Sequence, residues 1–147
     1  MTDEEAGEWI AFFMALNGAE GSFYFGDPVR TTPRGTVAGT WTTNGTQVAN
    51  GTTLTISGGT GQFAKGDWLQ VASGTASRLH RVMQVSLSGG NMVAVDVFPR
   101  LRSAYATAIT VSFNNPVGVF RLVELPREAF DRDSICRGMA FTAVEVI

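Results

Sequence analysis

The spacing of apolar residues changes once along this chain, near Gly18, and that change constrains the fold more than any other feature. Residues 2–17 follow helical spacing, with Ala6, Trp9, Ile10, Phe13 and Leu16 three or four apart on one face. Thr2 suits the N-cap, with Glu5 as its capping-box partner, and residues 3–5 place acids at the positive end of the helix dipole. Asn17-Gly18 supplies the left-handed stop. Phe12 and Met14 widen the apolar face, which is read as a broad core face in preference to a second contact surface. Beyond Gly18 the period drops to two, in nine short runs: Ser22–Phe25, Thr46–Ala49, Thr52–Ser57, Asp67–Ala72, Arg78–Ser86, Asn91–Phe98, Thr107–Phe113, Val117–Glu124 and Met139–Ile147.

Turn chemistry separates these runs. Asn44-Gly45, Asn50-Gly51, Ser57-Gly58-Gly59, Lys65-Gly66-Asp67, Ser73-Gly74 and Ser88-Gly89-Gly90-Asn91 suit tight antiparallel hairpins. Both Asn-Gly-Thr sequons, at Asn44 and Asn50, are read as turns and not as glycosylation sites. Threonine, valine and isoleucine total 36 of 147 residues, and such side chains favour a pleated, half-buried surface. The expected fold is mainly β: an antiparallel sandwich or barrel with one N-terminal amphipathic helix. In the run 78–86, Leu79, Met83 and Val85 share a face with Arg81, and Val93, Val95 and Val97 share one on the next run, the two pairing across Gly89-Gly90.

Two proline-marked borders, Pro28 to Pro33 and Asn114-Asn115-Pro116, divide the chain. Residues 1–35 carry a charge of −4, residues 36–113 carry +3, and residues 114–147 carry −1. The expected organisation is a base domain made of 1–35, holding the helix and first strand, and 114–147, holding the closing strands, with 36–113 inserted as a glycine-rich β-barrel. The two base segments make a thin domain that needs another surface to bury Trp9 and Phe13, which points to oligomerisation.

Composition excludes several chemistries. One cysteine, Cys136, leaves no internal disulfide, and with the single histidine, His80, it cannot build a structural zinc cluster. A net charge of −2 does not drive the chain onto nucleic acid or an anionic membrane. The apolar stretch Trp9 to Leu16 lacks the basic flank of a signal peptide and the length of a membrane span.

Each candidate catalytic arrangement is weak. The segment 59–64 matches G-x-G-x-x-A, but a dinucleotide site requires a helix to start there, and Gly66 turns the chain into another strand. Lys65-Gly66-Asp67 lacks the Ser or Thr of a phosphate loop. His80 with Asp67 or Asp96 and a nucleophile from Ser73, Ser77 or Ser86 forms the hydrolase alternative, although a lone histidine on a strand beside arginines reads first as a half-exposed surface residue. Cys136 reads as a small buried residue despite Arg137. Glu124, Glu128, Asp131 and Asp133 offer carboxylates, but their neighbours Arg121, Arg127 and Arg132 favour ion pairs at a solvated edge or subunit contact. Arg78, Arg81, Arg100 and Arg102 with Trp41, Trp68 and Tyr105 suit docking against an acidic subunit better than nucleic acid. The same three aromatics define a carbohydrate-binding alternative, as a stacking platform. No catalytic, cofactor or metal residue is assigned.

The order of motifs resembles the distal tail and related minor tail-tip proteins of long-tailed bacteriophages. The carrying residues are 8–13 (EWIAFF), 21–28 (GSFYFGDP), 32–35 (TPRG), 65–71 (KGDWLQV), 99–102 (PRLR), 115–122 (NPVGVFRL) and 141–145 (FTAVE), which together span nearly the whole chain. The resemblance implies a non-enzymatic structural virion protein at the tail tip, made in the host cytoplasm without a signal peptide. It implies a homo-oligomeric ring whose partners are further copies and other tail and baseplate proteins, with no nucleic acid, membrane or cofactor. Members of that family carry strands ahead of the helix, so this chain is expected to be truncated at its start or a shorter variant.

Overall fold

The computed structural model describes residues 3–130 and 136–146. Helix α1 runs Asp3–Ala15 and is followed by strands β1 (Phe23–Phe25), β2 (Trp41–Thr43), β3 (Thr53–Ser57) and β4 (Trp68–Val71). A 3-10 turn at Gly74–Ala76 leads to β5 (Arg78–Ser88), β6 (Asn91–Phe98), β7 (Thr110–Ser112), β8 (Gly118–Phe130) and β9 (Cys136–Glu145). The fold is mainly β, with one N-terminal helix. The chain forms two compact units, Met1–Tyr24 with Val119–Val146, and Phe25–Gly118.

The second unit is a closed antiparallel barrel in the order β2-β3-β6-β5-β4-β7, with β2 pairing β7 to close it. Closure removes the sheet edges that would otherwise template aggregation. Its core gathers Trp41, Leu54, Ile56, Leu69, Val71, Val82, Val95 and Val97 from the inward faces, with Phe63, Leu101 and Tyr105 from loops. The hairpin β5–β6 turns through Gly89 and Gly90, both at positive φ (57° and 82°), the conformation a two-residue primed turn demands. Ser88 pairs with Asn91 across it, as the glycine pair had indicated.

The first unit is a three-stranded sheet, β1-β8-β9, carrying α1. Its core cluster is Phe13, Phe23 and Leu122, with Leu16, Phe120, Phe141 and Ala143 partly buried against it. The helix stops where Asn17 and Gly18 both adopt positive φ (50° and 68°). The Thr2 cap lies outside the described residues.

Three local expectations are corrected. Residues 46–49 form no strand; the additional strand is Trp41–Thr43. Gln47 explains the first, because its buried side chain donates to the carbonyls of Asn44 and Gly45 (both 3.0 Å) and accepts from the Thr55 N–H (3.0 Å), stitching a loop. The inward face of β5 is not Leu79–Met83–Val85 throughout, since His80 and Val82 point in and Met83 lies exposed. A register shift between Val82 and Gln84 restores Val85 to the core side, and a second at Ser86/Leu87 leaves Val93 exposed while Met92 is buried. Finally, α1 does not bury a broad face. Ala6 and Phe13 are buried, whereas Trp9, Phe12 and Met14 are 47%, 39% and 71% exposed.

Candidate functional site

In the first unit the helix and sheet leave apolar side chains on the surface of both layers. Trp9 stacks on Phe13 at 5.9 Å, and Phe12 meets Phe13 and Phe23 edge-on at 5.3 and 5.8 Å, so the exposed rings are held by the buried ones. Phe13 and Phe23 in turn pack on Phe141 of β9. Among the described residues the sheet beside the helix has three strands, and the ridge of Trp9 and Phe12 stands in solvent. On the strands, Tyr24, Val123 and Val144 are 56%, 58% and 41% exposed and alternate with the inward Phe23, Leu122 and Ala143. β1 and β9 are the edges of this sheet, and β9 is ten residues long.

In the barrel unit, a carboxylate latch orders the loop before β2. Asp67 is buried, and its Oδ1 accepts from the Arg34 N–H (2.9 Å) while Oδ2 accepts from Gly35 (3.0 Å) and Ala64 (2.8 Å). The Arg34 Nε lies 3.6 Å away, and its guanidinium also donates to the Lys65 carbonyl. Burial pushes the Asp67 carboxyl up, but the three N–H donors and Arg34 together outweigh it, and the group titrates below its ordinary value. Asp27 works similarly at smaller scale. Its N–H bond from Val29 leads, burial opposes, and the Trp68 indole and Arg30 N–H add to a net lowering.

The residues of the hydrolase alternative are not brought together. His80 is fully buried, a correction to the expected half-exposed position, because the register of β5 turns it inward opposite Leu69. Its Nδ1 lies 2.8 Å from the Pro99 carbonyl, and Nε2 has no hydrogen-bond partner. Burial holds its pKa below 6.5, the Pro99 carbonyl opposes this, and Arg102 and Arg78 push further down. A donated Nδ1–H is the consistent tautomer. Asp67 is spent on the latch, and Asp96 accepts from the Thr53 hydroxyl at 2.6 Å. Ser77 is buried and bonded by Gln70 (3.0 Å), whereas Ser73 and Ser86 are exposed.

Nor does an aromatic platform form. Trp41 and Tyr105 are 2% and 7% exposed, as core residues, and Trp41 donates to the Ala38 carbonyl at 3.1 Å. Trp68 alone of the three is half-buried, beneath the Arg81 guanidinium at 5.2 Å. Arg78 is drawn to the carbonyls of Thr75 (3.2 Å) and Ser77 (2.9 Å), Arg102 is half-buried, and Arg100 is exposed. Thus the four arginines and three aromatics yield one cation–ring stack. The segment 59–64 stays a loop, bridged at Thr60 to Ala38, and leads into β4 without a helix. Among the described residues no three His, Cys, Asp or Glu side chains gather as a metal site. In the charge run, Arg121 and Glu124 are exposed on β8; Asp131, Arg132 and Asp133, and the side chains of Arg127, Glu128 and Cys136, lie outside the described residues.

Sequence reasoning missed one surface, made by Phe98 and Met83 outside the barrel at 65% and 43% exposure. Met83 sits in the bulge and was grouped with Leu79 and Val85, and Phe98, at the end of its strand, was given no face. No protein-family model matches the chain, and no curated protein matches it.

Proposed function

We propose that this chain is a structural assembly subunit, working by burying its helix and terminal strands against further copies and carrying out no chemistry. The observation that supports this is the apolar surface of the first unit: Trp9, Phe12 and Met14 on the helix, with Tyr24, Val123 and Val144 on the sheet, all more than a third exposed. Among the described residues its core cluster buries Phe13, Phe23 and Leu122, a small interior for a helix and three strands. Large apolar side chains exposed on both the helix and the outer face of the sheet mark interaction surface, and open strand edges add a second means of joining. The resemblance to tail-tip proteins of long-tailed phages names the setting: a ring subunit in the virion, contacting its own copies and neighbouring tail and baseplate proteins. Each stable contact of this sort buries roughly 1,200–2,000 Å² in total.

Light scattering on the full chain across a dilution series, with electron microscopy of the resulting particles, tests the reading. Met14→Glu with Val123→Glu places charge on two exposed side chains, so the fold is kept while association is lost. A wild-type protein that stays monomeric at every concentration contradicts the proposal.

A further inference from the structure

Trp68, Arg81 and Phe98 form one row across three adjacent strands on the outside of the barrel. Trp68 stands opposite Arg81 in the β4–β5 ladder, and Arg81 stands opposite Phe98 in the β5–β6 ladder. Directly opposed residues share a face of the sheet. Beside this row lies a groove of about 480 Å³, lined by Lys65, Gly66, Arg81, Val82, Met83 and Phe98. Its apolar walls are open to solvent, with Phe98 65% and Met83 43% exposed.

The rim is cationic. Lys65 is exposed, Arg81 is held by the Gly66 carbonyl (3.2 Å) and the Trp68 ring, and the Arg34 guanidinium reaches the Lys65 carbonyl. The carboxylate that approaches Arg34, that of Asp67, is buried and occupied by backbone N–H groups. Among the described residues neither Lys65 nor Arg81 forms an ion pair. The groove therefore offers oily walls with unneutralised positive charge at the edge, which selects a partner that is both aromatic and acidic.

One surface of this same chain has that chemistry. Helix α1 holds four acids and no base. Glu4, Glu8 and Phe12 recur every four residues and so lie along one ridge, with Trp9 beside it. All four are exposed. We propose that the groove receives this ridge from a second copy, Glu4 and Glu8 meeting Lys65 and Arg81 while Trp9 and Phe12 cover Met83 and Phe98. The inference rests on the assembly reading above and names the surfaces that meet. Because the two surfaces differ, the contact is heterologous, the kind that propagates into a ring when the rotation closes.

A charge swap tests it, read by sedimentation velocity of the full chain over a dilution series at low and high salt. Lys65→Glu with Arg81→Glu, and separately Glu4→Lys with Glu8→Lys, each weaken self-association by about tenfold or more, because like charges then face one another. The fourfold variant regains association, since its groove is acidic and its ridge basic. Lys65→Glu alone, on an exposed side chain, moves in the same direction. Double variants that associate like wild type, or a fourfold variant as weak as the doubles, overturn this docking while wild-type assembly stands. A wild type monomeric throughout overturns both this and the assembly reading.

Discussion

Replacing Asp67 with asparagine changes one atom and should unlatch the barrel's first loop. The native carboxylate accepts three backbone N–H bonds, at 2.8, 2.9 and 3.0 Å, and pairs with Arg34. In Asp67→Asn the amide oxygen can take the place of Oδ2 and keep the bonds from Gly35 and Ala64, but its NH₂ then faces the Arg34 N–H, donor against donor. Hydrogen bonds to a charged acceptor contribute roughly 1.5–3 kcal/mol each, neutral ones about half that. Losing one outright and the charge assistance of two others amounts to about 3 kcal/mol at the low end of those values. Arg34 contributes little, because its side chain is 56% exposed and a pair at the surface is worth at most about 1 kcal/mol. Urea unfolding followed by tryptophan fluorescence should show this loss at neutral pH with an unchanged slope. The loss also has a pH signature. Asp67 titrates below 3.8 in the fold, so its contribution is complete above that value and disappears as pH falls through the lower folded one. The difference between wild type and Asp67→Asn therefore narrows in acid. A loss under about 0.5 kcal/mol, the range of an uninvolved surface site, refutes the latch.

His80 makes a second acid-sensitive element. Its folded pKa is depressed below 6.5, so the unfolded chain binds the proton more readily and stability falls as pH drops below 6.5; thermal midpoints of His80→Gln should lack that part of the decline. Gly59→Ala drives a methyl group into the Trp41 Nε1 and the Ala38 carbonyl, which should cost about 1–3 kcal/mol in chemical denaturation. An unchanged midpoint there would mean that the Trp41–Ala38 approach is not tight.

The mainly β fold with a single N-terminal helix was readable because turn residues and period-two runs agree along most of the chain, most clearly at Gly89-Gly90. Trp41–Thr43 was missed because three residues carry no period, and Thr46–Ala49 misled because Gln47 spends its amide on the loop's own backbone. The inward phase of β5 and β6 failed at the bulges, where a single extra residue reverses which side chains face the core. That reversal buried His80, which had looked like a surface residue, and left Met83 outside. The helix shows the opposite limit. Its apolar residues are countable from sequence, but how many a sheet can cover depends on how many strands lie beneath, and among the described residues three do. The groove beside Phe98 was not visible because its members come from β5, β6 and the turn before β4, far apart in the chain.

The measurement closest to the central claim is the mass of this chain in solution, by light scattering after gel filtration, with Met14→Glu/Val123→Glu run beside it. The account predicts a defined multiple of 15.7 kDa for wild type that dissociates in the double variant. A wild-type mass of 15.7 kDa at every concentration, with the aromatic ridge left in water, would contradict it.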